Sequence, residues 1–364
     1  MKKSLLALAV FGAFAGAASA QTSVTAYGIA DVGFIREYGS LGPGVTKLDS
    51  GIQSGSRLGF KGTEDLGSGL KAMFQLETGI AMDTGGFNQG NRAFGRQAWV
   101  GLGGNFGMVS LGRQYQSQFI ALDEVDPFGT GLAGNSTNLL RYPFGSRNNN
   151  MIKYSTPEMG GFTAEAEYGF GEVAGDVSSK RTLGGSIGYA NGPAVIKLSY
   201  EKDQLGANGA TNLNQTTTPP TPFPNTITGK DFTAAVPVPP ITGAAKYTQL
   251  TGSYDFSVVK LAMAYRKDKD DMFLDANNFL VGVTVPFGAS SFMASYIRHK
   301  DRSDFGQDAN QIGVGYTYAL SKRTNFYSSY ARINNSNAAG YTVGNAISDG
   351  SNEKAFNVGV RHKF

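Results

Sequence analysis

Apolar and polar residues alternate along many segments of this 364-residue chain, and this alternation limits the fold more than any other feature. In GFTAEAEYGF (161–170), apolar or aromatic residues share one parity from Phe162 to Phe170, whereas Glu165 and Glu167 fall on the other. Successive side chains of a β-strand point to opposite faces. The segment therefore predicts a strand with one apolar face and one charged face.

About sixteen segments of this kind follow one another, each roughly ten residues long, which is the length of a tilted strand that crosses a bilayer. Short connections such as DLGSG (65–69) and ANGP (190–193) alternate with long ones such as 38–52, 116–148 and 203–245. Such a pattern is typical of outer-membrane barrels. The sequence predicts an all-β fold, a 16-stranded antiparallel transmembrane β-barrel with short periplasmic turns and long extracellular loops.

Charged residues on the inward parity predict a wet interior. Every backbone polar group in hydrocarbon must pair inside the protein, so a sheet can span a membrane only as a closed barrel. A barrel of 16 to 18 strands leaves an aqueous channel, and lumen-facing carboxylates or amines there stay hydrated. The predicted pore-lining residues are Lys61, Lys71, Glu77, Glu165, Glu167 and Lys197, and Glu201 shares their parity.

Both ends of the chain carry export signals. MKKSLLALAVFGAFAGAASA has a basic start, an apolar run and an Ala-Ser-Ala site, so residues 1–20 are predicted to be a signal peptide and residues 21–364 the mature barrel. The final FNVGVRHKF is a strand pattern ending on Phe364, and it resembles the signal read by the barrel assembly machinery. The protein is expected to be integral to a bacterial outer membrane.

Composition argues against several other classes of protein. The chain has no cysteine, two histidines (His299 and His362) and no His-Glu-x-x-His motif, so we expect no enzyme, no bound metal and no cofactor. Removal of Lys2 and Lys3 with the first twenty residues would lower the formal net charge from +4 to about +2, and the chain has no long basic run, so we expect no nucleic-acid partner. A soluble all-β binding protein remains an alternative, because such a fold would bury the aromatic face between two sheets.

Three segments resemble the general porins of Gram-negative bacteria, above all the trimeric porins of β-proteobacteria. They are SRLGFKGTEDLGSGLKAMFQLE (56–77), GGNFGMVSLGRQ (103–114) and the terminal GVRHKF. The resemblance implies a homotrimer embedded among outer-membrane lipid and lipopolysaccharide, which lets small hydrophilic solutes and inorganic ions diffuse passively. A substrate-specific channel for small anionic solutes such as phosphate or dicarboxylates is the alternative.

In that family the third long loop folds into the pore, where its acidic residues face basic residues of the wall. The matching acidic residues here are Asp123, Glu124 and Asp126, and the basic wall candidates are Arg57, Arg96, Arg113, Arg141 and Arg147. Arg57 has inward parity. Arg96 and Arg113 share the parity of outward neighbours, and a bulge at the strand end would turn Arg113 inward. Basic residues outnumber acidic ones in this set, so we expect a preference for anions.

Overall fold

The computed structural model describes residues 23–41, 43–142, 145–204, 243–271, 274–337, 339–343 and 352–364; the predicted signal peptide lies outside them. Within these residues sixteen strands form one sheet, counting as one strand two segments that pair with the same neighbour. The strands are β1 (Ser23–Tyr38), β2 (Val45–Ser50 and Arg57–Gly67), β3 (Leu70–Gly79), β4 (Gln97–Gly104), β5 (Gly107–Tyr115), β6 (Arg147–Ser155), β7 (Phe162–Gly169), β8 (Thr182–Asn191), β9 (Ala194–Gln204), β10 (Ala244–Asp255), β11 (Lys260–Lys269), β12 (Asp275–Phe287), β13 (Ser290–Asp301), β14 (Ala309–Ala319), β15 (Thr324–Asn335) and β16 (Lys354–Lys363).

Each strand pairs antiparallel with its neighbours in the chain, and the first strand pairs with the last. The β1–β16 register runs from Ile29 opposite Lys363 to Tyr38 opposite Lys354. Beyond it, the backbone N–H of Gly28 donates to the carbonyl of Phe364 at 3.0 Å, and the N–H of Phe364 donates back at 3.1 Å. The sheet is therefore closed, which confirms the predicted 16-stranded barrel.

The second strand differs from the sequence prediction, which placed residues 38–52 in a loop. Val45–Ser50 already pairs with β1, and only residues 51–56 leave the ladder. Gly51 adopts a φ of 72°, a conformation that favours glycine. The buried carboxylate of Asp31 accepts hydrogen bonds from the N–H groups of Gln53 (2.9 Å) and Ser54 (2.6 Å). These bonds hold the interruption against the inner wall, a feature that alternation alone does not show.

Outward-facing positions are apolar along the middle of the strands, as the alternation predicts. Aromatic pairs lie at the two ends of β7. The ring centroids of Phe162 and Tyr189, on β8, are 4.6 Å apart, and those of Tyr168 and Phe170, just after β7, are 4.7 Å apart. Aromatic girdles at both membrane interfaces are characteristic of transmembrane barrels. Exposed apolar residues between the ends include Val100, Leu102, Leu111, Ile187, Ile196, Leu198, Met263, Val281, Ile312 and Val314.

An arginine on this outer surface is expected to destabilise the barrel. Leu198, midway along β9, is 50% exposed on the outer face. Leu198→Arg should lower the free energy of unfolding by about 2–4 kcal/mol, because an arginine at the bilayer midplane loses its hydration. Denaturant titration of vesicle-inserted protein measures this change. Glu165→Arg, on the inner face of β7, is the matched control, and an equal loss there would contradict the assignment of the two faces.

The loop between β5 and β6 lies inside the barrel. It contains a short helix (Ser117–Asp123) and a 3₁₀ turn (Ser136–Asn138); another short helical turn (Asn88–Asn91) precedes β4. We call the short helix of the third loop α2 and the turn before β4 α1. Apolar loop residues pack against inward residues of the far wall, which confirms that the third loop folds into the pore. This core includes Leu122, Val125, Phe128, Leu132, Leu139, Leu140, Ala262, Ala264, Leu280 and Ile297. In the described ranges, no helix is both long and apolar enough to cross a membrane.

Candidate functional site: a charged constriction inside the barrel

The start of the third loop is fixed to the wall by Glu167 of β7. The Glu167 carboxylate accepts hydrogen bonds from the backbone N–H (3.1 Å) and the hydroxyl (2.9 Å) of Ser117, the first residue of α2. It also pairs with the ammonium of Lys153 at 3.2 Å, and that ammonium donates to the carbonyl of Tyr115 at 2.6 Å. Glu167 is only 4% exposed. The prediction that it lines the open pore is wrong, because the loop covers it.

Asp126 turns into the third loop rather than towards the wall. Its two carboxylate oxygens accept hydrogen bonds from the N–H groups of Phe128 (2.9 Å), Ser136 (2.7 Å) and Thr130 (3.2 Å). Burial raises the pKa of Asp126, whereas these hydrogen bonds act in the opposite direction. The prediction that Asp126 faces the basic wall is wrong. A tight loop inside the barrel leaves N–H groups without water, and this carboxylate satisfies them.

The return of the loop rests on Arg266 of β11, a residue that sequence reasoning missed. Its guanidinium donates to the carbonyls of Leu140 (3.3 Å) and Arg141 (2.8 Å) and forms a bidentate pair with Asp268 at 2.7 and 2.9 Å. Arg266 is 1% exposed. The sequence feature that could have indicated this role is the presence of an arginine and an aspartate two residues apart on the inward face of one strand.

Two arginines share a single carboxylate on the opposite wall. The Nε of Arg96 donates to Glu77 at 2.7 Å, and Arg57 approaches the same oxygen of Glu77 at 3.8 Å. Tyr27 donates its hydroxyl hydrogen to the other oxygen at 2.8 Å. Arg96, a predicted wall residue, reaches Glu77 although it shares the parity of outward neighbours, because it precedes the first residue of β4 and does not follow the strand alternation. The three charged groups carry a net charge of +1.

Tyr115, at the end of β5, joins further arginines to this pair. Its hydroxyl accepts a hydrogen bond from Arg96 at 2.6 Å and another from Arg147. The Arg147 guanidinium also lies over the Tyr115 ring, 3.9 Å from its centroid. The register shifts between Gly112 and Gln114, so a bulge is present at Arg113, which donates to the carbonyl of Gly95 at 2.7 Å. Sequence reasoning missed Tyr115 as the centre of this cluster.

Asp123 is the acidic loop residue that interacts with the arginine wall. The guanidinium groups of Arg57 and Arg96 both act on its carboxylate, and Thr130 donates a hydroxyl hydrogen bond to it at 2.5 Å. Burial raises the pKa of Asp123, whereas the two arginines and the hydrogen bond act in the opposite direction. We call Arg57, Arg96, Arg113, Arg147, Glu77 and Asp123 the constriction cluster.

The remaining predicted residues lie elsewhere along the lumen. Glu124 pairs with Lys197 at 2.8 Å, so this acidic loop residue contacts the β9 wall instead of the arginines. Arg141 lies over the ring of Tyr341, 4.6 Å from its centroid. The Lys61 ammonium lies 5.5 Å from the Tyr27 ring centroid, Glu165 accepts a hydrogen bond from Ser155 at 3.2 Å, and Lys71 is exposed.

A closed barrel with an apolar outer surface and a charged constriction inside it defines a transmembrane channel. A family model described as Gram-negative porin matches residues 6–338. The chain belongs to the Gram-negative porin family, and it is an outer-membrane porin that forms a water-filled channel for small hydrophilic solutes.

Similar proteins agree with this assignment. The chain is 32% identical to an outer membrane porin protein of Bordetella pertussis and 33% identical to outer membrane porin protein 32 of Delftia acidovorans, with all of both chains covered in each comparison. Its structure is similar to that of the anion-selective porin from Comamonas acidovorans, with a TM-score of 0.77 and 30% identity over 94% of this chain and 100% of that one.

Acidification is expected to raise the permeability of the channel to anions relative to cations, beginning above the ordinary titration range of aspartate. Because its pKa is raised, Asp123 binds a proton and loses its charge at a higher pH than an exposed aspartate. Reversal potentials measured in planar bilayers from neutral pH downwards follow this change. The Asp123→Asn variant should already show the higher ratio of anion to cation permeability at neutral pH, and this ratio should no longer rise on acidification through protonation of residue 123. If the variant kept the pH profile of the wild type, Asp123 would not be the group that titrates.

Proposed function

We propose that this porin prefers anions. The observation that supports the proposal is the charge of the constriction cluster: four guanidinium groups meet two carboxylates, Glu77 and Asp123. The resulting excess of positive charge stabilises an anion in the narrow part of the pore and destabilises a cation. The similar Comamonas porin is described as anion-selective, which supports the same sign.

Reversal potentials across a planar bilayer with a salt gradient test the sign of selectivity. We expect the potential to take the sign of anion permeation, and a larger value at low salt than at high salt because mobile ions screen the cluster. Potassium acetate and lithium chloride should separate the anion from the cation contribution. A potential with the sign of cation permeation would refute the proposal.

A specific channel for small anionic solutes is the second candidate. It is favoured by the arrangement of Arg96 and Arg147 on the hydroxyl of Tyr115, since guanidinium groups recognise carboxylate and phosphate by paired hydrogen bonds. Phosphate or a dicarboxylate should then block chloride conductance saturably. A linear dependence on concentration would leave general diffusion as the function.

We further propose that residues 1–20 are removed on export and that the mature chain, 21–364, assembles as a homotrimer without catalytic activity. The export pattern of the first twenty residues supports the cleavage, and the porin family supports the trimer and the channel role. Lipopolysaccharide and outer-membrane lipid surround the barrel, and the assembly machinery reads Phe364. Intact-mass measurement of the purified protein tests the cleavage, and light scattering in detergent tests the trimer.

A further inference from the structure

Unpartnered polar atoms gather behind the third loop, between α2 and the inner face of β9 and β10. These atoms are Oε1 and Nε2 of Gln118, Oε2 of Glu201, Oδ2 of Asp203, the hydroxyl of Tyr247, Oε1 of Gln249 and the hydroxyl of Thr251. Apart from the approach of the Glu201 and Asp203 carboxyl groups to each other, none has a hydrogen-bond partner among the described residues, and each residue is at most 5% exposed. Buried polar atoms in folded proteins are nearly always satisfied, by protein groups, ordered water or an ion.

The strand register brings the oxygen atoms of this group together. Glu201 of β9 lies directly opposite Tyr247 of β10, and Asp203 follows two residues later on the same face. The carboxyl groups of Glu201 and Asp203 are within hydrogen-bonding distance of each other, and both act electrostatically on the Tyr247 hydroxyl. The Nε2 of Gln249 donates to the backbone carbonyl of Gln118 at 2.9 Å, which holds α2 over the same wall.

Among the described residues, neither of these two carboxylates forms an ion pair with a basic residue. The Arg266 guanidinium acts electrostatically on Glu201, but it forms its ion pair with Asp268. Glu167 is paired with Lys153 at 3.2 Å. Asp268 is paired with Arg266, whose other bonds go to backbone carbonyls.

The remaining partner of the pair is neutral. The Thr182 hydroxyl donates to Oδ1 of Asp203 at 2.6 Å and brings no charge. Two adjacent buried carboxylates that both carry a charge and lack an ion-pair partner would be strongly unfavourable.

We propose that Glu201, Asp203 and Tyr247 form a binding site for a Ca²⁺-like divalent cation behind the third loop. Apart from Nε2 of Gln118, the unpartnered atoms are oxygens, which are the ligands of Ca²⁺, and two carboxylates match its charge. The side-chain oxygens of Gln118, on the third loop, and of Gln249, on β10, would be additional neutral ligands of the cation. In the described ranges no group of three or more His, Cys, Asp or Glu residues is arranged to hold a metal, so this site depends on neutral oxygens as well.

A bound cation at this place would stabilise the folded loop by mass action, because the unfolded chain lacks the site. None of the proposed ligands belongs to the constriction cluster: they lie on the β9–β10 wall and at Gln118, near the start of α2, whereas Asp123 is the last residue of that helix. The inference therefore stands or fails separately from the proposed preference for anions.

Terbium luminescence tests the site, since Tb³⁺ takes oxygen-rich Ca²⁺ sites and Tyr247 would transfer excitation energy to it. With the purified detergent-solubilised protein, treated first with EDTA, we expect saturable terbium emission on tyrosine excitation, displaced by Ca²⁺. The double variant Glu201→Gln, Asp203→Asn should bind Tb³⁺ at least tenfold more weakly. Tyr247→Phe, which keeps the ring, should weaken the emission too.

Asp176→Asn, in the exposed connection between β7 and β8, is the matched control and should bind Tb³⁺ as the wild type does. Resistance of the folded barrel to heating in SDS shows that each variant is folded. Absence of saturable emission in the wild type, or equal affinity in the double variant, would overturn the proposal. So would a wild-type melting temperature that responds to pH but not to Ca²⁺ or EDTA, because a shared proton would then be the counter-charge.

Discussion

Replacing Glu167 with alanine is expected to release the start of the third loop and to produce a larger, noisier open-channel conductance. The change removes two hydrogen bonds to Ser117 and leaves the ammonium of Lys153 without its carboxylate. Hydrogen bonds to charged groups contribute about 1.5–3 kcal/mol each. A loss of about 3 kcal/mol shifts the docking equilibrium of the loop roughly a hundredfold. Single-channel recording and the uptake of graded sugars by proteoliposomes measure the result.

Glu165→Ala is the matched control for this experiment, because Glu165 lies on the same strand and face but makes no hydrogen bond to the third loop among the described residues. It should leave conductance and size limit almost unchanged. Glu167→Gln should fall between the two, since an amide oxygen still accepts a bond from Ser117. Wild-type conductance in a folded Glu167→Ala barrel would contradict the anchoring role of this residue.

Arg57→Ala is expected to lower the ratio of anion to cation permeability about three- to tenfold. A unit charge about 6 Å from a passing ion changes the energy of that ion by about 0.7 kcal/mol in water, with opposite signs for the two ions, and salt reduces the effect. Arg57 is suited to the test because Glu77 keeps its closer pair with Arg96 at 2.7 Å. Zero-current potentials across a salt gradient give the ratio.

Arg332→Ala serves as the control for the loss of a positive charge from the molecule as a whole. Arg332 lies on β15 with the outward parity of Phe326 and is exposed. Its removal should leave the permeability ratio unchanged. An equal decrease in both variants, or none in Arg57→Ala, would show that the constriction cluster does not set the selectivity.

The barrel could be predicted from the sequence because its cause is repeated along the chain. A strand that separates lipid from water must alternate apolar and polar side chains, so the alternation is visible in each segment on its own. Phe162, Glu165 and Ile196 fall on the expected faces. The interruption at residues 51–56 could not be predicted in the same way. It depends on the carboxylate of Asp31, which lies twenty or more residues earlier and reaches the segment only after the barrel closes.

The contacts of the constriction cluster could be predicted less well from the sequence, because they join segments that are far apart in the chain. Asp126 belongs to an acidic loop, but the N–H groups that it binds become visible only when the loop is folded. Arg96 lies outside the strand whose alternation was used to orient it. Tyr115 accepts hydrogen bonds from Arg96 and Arg147. Arg266 donates to loop carbonyls far away in the chain, although its ion-pair partner Asp268 lies on the same strand.

Single-cysteine labelling at adjacent residues of β7 tests most directly that one face meets water and the other meets lipid. The chain contains no cysteine, so Ala164→Cys and Glu165→Cys each introduce a unique thiol. In lipid vesicles, a membrane-impermeant maleimide should modify the thiol at position 165 quickly and the thiol at position 164 slowly. Equal rates at both positions, or the reverse order, would contradict the water-filled barrel.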